Sequence, residues 1–337
     1  MISAIDSIIE ASIDPRGPGL AVAVAQNGDC LHCKGYGLAN MECSLPITTD
    51  TVFRLASLTK TFTATAILLL QEQGKLHLSD AITNYFPDFS PHWNPITIEH
   101  LLTHTSGIKN YNDLDGFIRI WARADLTPRE LATLFADLPL NFAPGSRFEY
   151  TNSGYVLLGL LIETLAGMTY ENFIQTQIFT PLGMKRSYYM LRGAIIPQRA
   201  AGYVLAPENN PHAYHGYLHA PFRSMTTSYS SGGLGSTLED MLIWDNALRT
   251  NRLLSADVQK RMLTPAVLAN NQSSNYGLGW FIEERQGHKI AYHSGDVEGF
   301  SSLMVRLIDM PLTLILLANL SDWDLEGLSE KIFEALL

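Results

Sequence analysis

Two side chains in the segment VFRLASLTK could perform nucleophilic chemistry together, the hydroxyl of Ser57 and the amine of Lys60. Three residues apart on a helix means neighbouring side chains on one face. The run that follows Ser57, LTKTFTATAILLLQEQG, is apolar over most of its length and ends at Gly74, which predicts a helix there. A lysine beside apolar residues loses hydration, which disfavours its charged form and makes it a candidate base for the serine. A serine at a helix N-terminus also offers its own backbone N–H to an oxyanion. The same residues equally fit an N-cap serine followed by a solvent-facing lysine. A second Ser-x-x-Lys pair, Ser106–Lys109 in THTSGIK, has Gly107 within it. Glycine favours a helix end or turn, so that pair need not share a face.

Two further stretches carry groups suited to proton transfer and polar recognition. FAPGSRFEYTNSGYVLLG sets Tyr150 and Asn152 between a Pro144-Gly145 turn and a long apolar helical pattern. A second Tyr-x-Asn, Tyr170–Asn172, falls inside a helical pattern and lacks that loop setting. AYHSGDVEGFSS carries His293-Ser294-Gly295 followed by Asp296, ahead of the C-terminal strands, and no K-T-G or K-S-G occurs. The chain also lacks G-x-S-x-G, a Walker A loop and a dinucleotide fingerprint.

Other chemistry-bearing residues lie outside these motifs. Cys30 and Cys33 form a C-x-x-C, but AVAVAQNGDCLHCKGYG predicts two strands around an Asn27-Gly28 turn. Residues three apart on a regular strand face opposite sides, which is poor placement for a shared metal. His100 and His104 are spaced like zinc ligands on a helix, without an accompanying H-E-x-x-H or third ligand. His212, His215 and His219 lie among Tyr214, Tyr217 and Phe222 in an irregular stretch expected to contact substrate or move. Ser236-Thr237-Leu238-Glu239 reads as a capping box that starts a helix.

The elements that must position these groups follow from the patterning. A first helix is expected over 2–12, then the hairpin. Alternating strands are expected over 300–307 and 312–319, around a turn at Asp309-Met310-Pro311, and a last helix over 325–337. Helical patterns fall at 98–103, 128–136, 153–166 and 170–179. The expected fold class is therefore α+β, an antiparallel sheet flanked by helices with a mainly helical insertion. Residues 1–79 and 231–337 would form one α/β domain from both termini. Residues 80–230 would form the insertion, with a long loop at 193–230.

Composition bounds the function. The 337 residues are 46% hydrophobic and 17% charged with a net charge of −10, and no cluster of Lys and Arg exists to neutralise phosphates, which argues against nucleic acid as a partner. No apolar run reaches the ~18 residues of a membrane span. Three cysteines are too few and too oddly numbered for a disulfide framework. The opening MISAIDSIIEASIDP lacks a basic stretch followed by an apolar core. A cytoplasmic protein is expected if Met1 is the native start, and a periplasmic or secreted one if a leader has been removed.

The motifs occur in the order and approximate spacing of the serine β-lactamase and penicillin-binding-protein superfamily, which the chain resembles. PGLAVAV, VFRLASLTK, ITIEHLLTHTSGI, FAPGSRFEYTNSGYVLLG, PLGM, SGGLGSTLEDM and HSGDVEGFSS form a collinear series over nearly the whole length. The likeness is to class C β-lactamases and their relatives, the DD-carboxypeptidases, D-aminopeptidases and β-lactamase-fold esterases. It implies the β-lactamase/transpeptidase-like fold and a serine hydrolase acting through an acyl-enzyme, without metal or cofactor. Ser57 would be the nucleophile, with Lys60 and Tyr150 handling protons; either could be the acylation base. Asn152 would bond Lys60 and a substrate amide. The backbone N–H groups of Ser57 and Asp296 would form the oxyanion hole beside Ser294 and Gly295. His293 stands where typical β-lactamases carry lysine and is mostly neutral at pH 7, which favours a D-peptidase or small-ester esterase over a strong β-lactamase. A penicillin-recognising sensor that acylates without turnover, or a weak β-lactamase, is the competing expectation. The expected partner is a small-molecule or peptide substrate, and the sequence is silent on oligomeric state.

Overall fold

The computed structural model describes residues 2–337. Six strands, β1 (Leu20–Gln26), β2 (Asp29–Tyr36), β3 (Phe281–Arg285), β4 (His288–Val297), β5 (Phe300–Leu307) and β6 (Leu312–Ala318), form one antiparallel sheet in the order β3-β4-β5-β6-β1-β2. The two ends of the chain meet where Leu20 lies opposite Ala318 and Gln26 opposite Leu312. β1 is buried on both faces, and its alternation sorts side chains by size. Leu20, Val22 and Val24 pack with Ile5 and Ile9 of the helix Ile2–Glu10 and with Leu328 and Ile332 of the helix Leu325–Leu336. Ala21 and Ala23 face the main core, where their small volume lets the helix Leu238–Arg249 lie against the strand. An internal ion network ties that helix to the sheet. Asp245 takes the Arg306 guanidinium at 2.8 Å, the Arg249 guanidinium at 3.0 Å and the Thr313 hydroxyl at 2.9 Å.

The β1–β2 hairpin turns on Asn27 and Gly28, both with positive φ (56° and 88°), as a two-residue primed turn requires. Its register differs from a regular strand pair. Ala23 pairs with Cys33, Val24 with His32 and Ala25 with Cys30, so Leu31 is an extra residue in a β-bulge. The bulge puts Cys30 and Cys33 on the same face, where a regular strand would separate them. Burial and the adjacent Cys30 thiol push the Cys33 thiol up to about 12.

The helix Thr59–Glu72 runs through the middle of the molecule and is buried nearly all round, which marks a core helix. Its threonines are accommodated by hydrogen bonds from their hydroxyls to carbonyls, Thr61 to Leu58 and Thr65 to Thr61 at 2.9 Å and Thr63 to Ser230 at 2.6 Å. Beside it packs the helix Asn152–Ala166, capped by the Thr151 hydroxyl and ended by Gly167 at φ 66°. Further helices at Ile98–Leu102, Pro128–Ala136 and Tyr170–Ile174 surround this pair. A small sheet of Phe53–Arg54, Leu234–Ser236 and Tyr188–Tyr189 holds the chain that leads into Ser57.

The stretch 193–230 carries a short hairpin of Tyr203–Leu205 with Tyr217–His219, and a helical turn, Tyr229–Gly232, starts at its end. One local expectation is corrected. The cap of the helix Leu238–Arg249 is Thr237, whose hydroxyl accepts from the Asp240 N–H at 3.2 Å, one residue later than the capping-box reading.

Candidate active site

Ser57 sits in a single helical turn, Ala56–Leu58, that runs straight into the central helix. Ala56 just before it has φ 46°, a left-handed conformation that a residue with a Cβ adopts at a cost of about 1–3 kcal/mol and that concentrates at functional sites. The turn leaves Ser57 half-buried while Lys60, one turn further on, is fully enclosed. Lys60 Nζ lies 3.0 Å from Ser57 Oγ, 2.7 Å from Asn152 Oδ1 and 2.9 Å from the Ser231 carbonyl oxygen. It also stands 4.8 Å from the centre of the Tyr150 ring. Burial pushes its pKa well below the ordinary lysine range. The solvent-facing alternative for Lys60 is thereby excluded.

Asn152 is oriented from the other side. Its Nδ2 donates to Asn112 Oδ1 at 3.1 Å and its backbone N–H to Asn110 Oδ1 at 3.2 Å, so its Oδ1 is left to Lys60. Tyr150 is packed among Phe281, His293 and His104. Burial pushes its phenol above the ordinary tyrosine range, opposed by the polar Ser57 side chain nearby. The expected residues Ser57, Lys60, Tyr150 and Asn152 therefore converge, from positions up to 95 residues apart in sequence (152 − 57).

The loop carrying Tyr150 is strapped to the turn after Ile98–Leu102. Asn141 N–H donates to the Gly107 carbonyl at 2.8 Å, Gly145 N–H to that of Thr105 at 2.8 Å and Glu149 N–H to that of His104 at 2.9 Å. Thr151 N–H donates to His104 Nδ1 at 3.2 Å.

β4 supplies the opposite wall. β3 pairs only with residues 288–292 of β4, so 293–297 has β5 on one side and an edge free of strand on the other. That edge passes the start of the central helix. A Cβ on Gly295 would come within 2.4 Å of the Leu55 carbonyl oxygen and 2.8 Å of the Ser57 nitrogen, so only glycine lets the two backbones meet. Ser302 fixes the approach by donating to the Leu55 carbonyl at 2.7 Å. Ser294 is half-buried and Asp296 exposed. Both line a cavity of about 320 Å³ that is completed by Trp323, Asp324 and Glu326 among others.

His293 is buried, and protein groups engage both its nitrogens. Nδ1 lies 2.6 Å from the Ser294 carbonyl oxygen, which can only accept, so Nδ1 carries the proton and Nε2 accepts from the Tyr276 hydroxyl at 3.0 Å. Burial, reinforced by Lys60, pushes its pKa down to about 3, so it is neutral across ordinary pH. Among the described residues no group of three or more metal-ligating side chains forms, and His100 instead completes the capping box of its own helix with Thr97. Ser106 is buried, its Oγ accepting from the Ile108 N–H at 3.3 Å.

The Ser231 carbonyl, Asn110, Asn112, Tyr276 and His104 were not singled out for this site by sequence reasoning. A carbonyl leaves no mark in a sequence, since every residue has one. His104 stood beside a residue pair of interest, in THTSG, and that was the one signal available.

Comparison with known proteins identifies a family and several relatives. A family model described as Beta-lactamase matches residues 5–337. A penicillin-binding protein of Bacillus subtilis (strain 168) is 32% identical over 318 residues, covering 88% of this chain and 67% of the relative. A D-aminopeptidase of Gluconobacter oxydans (strain 621H) is 27% identical over 318 residues, covering 90% of this chain and 56% of the relative. These relatives thus extend well beyond the region they share with the chain. The crystal structure of a D-amino acid amidase from Ochrobactrum anthropi SV3 aligns with a TM-score of 0.86 at 26% identity, covering 100% of this chain and 99% of that one.

Proposed function

Since the chain belongs to the Beta-lactamase family, we propose that it is a serine hydrolase that forms an acyl-enzyme on Ser57 and cleaves amide or ester bonds whose leaving group bears no carboxylate. Amides of D-amino acids and small esters are the leading substrates. The observation that carries the reading is the enclosed Lys60 amine held among Ser57, Asn152 and the Ser231 carbonyl.

The proton inventory favours Lys60 as the acylation base. A neutral amine has two N–H donors and one lone pair. Asn152 Oδ1 and the Ser231 carbonyl accept only, so they take the two N–H groups and leave the lone pair facing the Ser57 hydroxyl. Ser57 Oγ bonds to the substrate carbonyl carbon as its proton passes to Lys60. The carbonyl oxygen gathers negative charge toward the N–H groups of Ser57 and Asp296. Tyr150, kept as a phenol by burial, gives its proton to the leaving nitrogen or oxygen as that bond breaks, and regains one from the Lys60 ammonium. Water then releases the acyl group by the reverse traffic.

Charge sets the preference. His293 is neutral, and the cavity beside Ser294 is lined by the carboxylates of Asp296, Asp324 and Glu326. A C-terminal carboxylate, or the carboxylate of a β-lactam, meets repulsion there. The D-aminopeptidase and D-amino acid amidase likenesses support the same choice. A panel of D-aminoacyl amides, D-Ala-D-Ala peptides, short-chain esters and nitrocefin, assayed with wild type and Ser57→Ala, tests it. Turnover of the amides or esters ahead of the carboxylate-bearing compounds is expected. A single stoichiometric burst with every compound would replace the hydrolase with an acylating sensor.

A further inference from the structure

We infer that His104 is the positioning residue of Tyr150, clamping the backbone on both sides of the phenol without touching substrate. The inference rests on the reading of Tyr150 as a proton carrier. An extended tripeptide turns the N–H groups of its first and third residues to one edge. A neighbouring strand would meet them with carbonyls of two different residues, because each residue has only one. His104 meets both alone. Its carbonyl accepts the Glu149 N–H at 2.9 Å and its Nδ1 accepts the Thr151 N–H at 3.2 Å. Between these two anchors its ring packs on the Tyr150 ring, with centroids 4.3 Å apart and planes at 37°.

The backbone shows what this placement demands. His104 has φ 57°, a left-handed conformation that only a few per cent of non-glycine residues adopt and in which Asn, Asp and His are enriched. Tyr155 at 5.1 Å and Tyr276 at 4.7 Å enclose the ring, which is fully buried. Because Nδ1 accepts, the neutral ring carries its proton on Nε2, and that buried N–H has no hydrogen-bond partner among the described residues. An uncommon backbone conformation and an unsatisfied donor are thus both retained at the residue behind Tyr150. Burial keeps the ring neutral and so preserves the acceptor.

The test compares His104→Asn, His104→Gln and His104→Phe. Asn places an oxygen near the Nδ1 position and tolerates positive φ; Gln keeps polarity but misplaces the acceptor; Phe keeps the aromatic face and loses it. With p-nitrophenyl acetate, kcat is expected to fall about 100-fold in the Phe and Gln variants with KM little changed, as for a catalytic group misplaced by about 1 Å. The Asn variant should stay within about three-fold of wild type, since it keeps the acceptor and so the clamped geometry. Amide hydrogen exchange gives a readout independent of activity: Thr151 exchange should accelerate in the Phe and Gln variants and hold in the Asn variant. An unchanged kcat in both Phe and Gln variants, equal losses in all three, or unchanged Thr151 exchange would each overturn the clamp. A wild type with slow Thr151 exchange but neither turnover nor Ser57 labelling would sink the hydrolase reading while leaving the clamp standing.

Discussion

Asn152 presents its carbonyl oxygen to Lys60 at 2.7 Å because Asn112 holds the nitrogen of the same amide. Lys60 therefore has a neutral acceptor where a carboxylate would fit in the same space. Asn152→Asp would place a negative charge there and favour the ammonium, raising the depressed Lys60 pKa. A base must be unprotonated to act, so activity falls as pH drops through that pKa. The acid limb of the kcat/KM profile should move up by about one to three pH units in the variant, and an unmoved limb would remove Lys60 from the role of base.

Two serines stand in Ser-x-x-Lys pairs, and only Ser57 is open to solvent with its lysine in contact. A fluorophosphonate probe should label wild type and Ser106→Ala but not Ser57→Ala, read by intact-mass spectrometry. Labelling that persists in Ser57→Ala assigns the nucleophile elsewhere.

Selectivity against carboxylates is expected to respond to charge at the start of the last helix. Asp324 caps that helix by accepting the Gly327 N–H at 2.8 Å, a task asparagine performs equally well. Asp324→Asn with Glu326→Gln should thus preserve the fold. It should raise kcat/KM for a D-Ala-D-Ala peptide relative to a D-alanine amide by about three- to ten-fold at low salt, with the gain shrinking as salt screens the site. A ratio insensitive to both changes would mean the leaving group lies elsewhere.

Stability depends on Asp245, which carries the counter-charge of the buried Arg306. Asp245→Asn leaves that guanidinium enclosed without an anion and should cost about 3–5 kcal/mol in urea or thermal unfolding. A loss below 1 kcal/mol would show that Arg249 and Arg306 find other partners.

The sequence made some of these features visible and hid others for physical reasons. Strand β5 spans 300–307 and a helix spans Pro128–Ala136, as their patterns indicate. Ser57, Lys60, Tyr150 and Asn152 were legible as types in motifs, and the helical turn between the first two was legible as spacing. The Leu31 bulge was not, because one inserted residue leaves the apolar pattern of β2 almost unchanged while reversing the side on which Cys30 lies. The choice of Thr237 over Ser236 as cap was equally hidden, since both can cap and only backbone angles decide. His104 illustrates the limit most clearly: its placement behind Tyr150 depends on one positive φ that its residue type does not announce.

The partners of Lys60 have a consequence for biosynthesis. Two of its three contacts come from residues 92 and 171 positions further along the chain, and the wall at Gly295 arrives later still. Chain emerging from a ribosome in N-to-C order carries its serine long before the groups that arm it. On the proposed reading, a nascent or clipped product ending before Ser231 would lack a carbonyl that holds the Lys60 amine, so Ser57 would become reactive only once residues 231 and 295 have been made and have folded back onto the central helix.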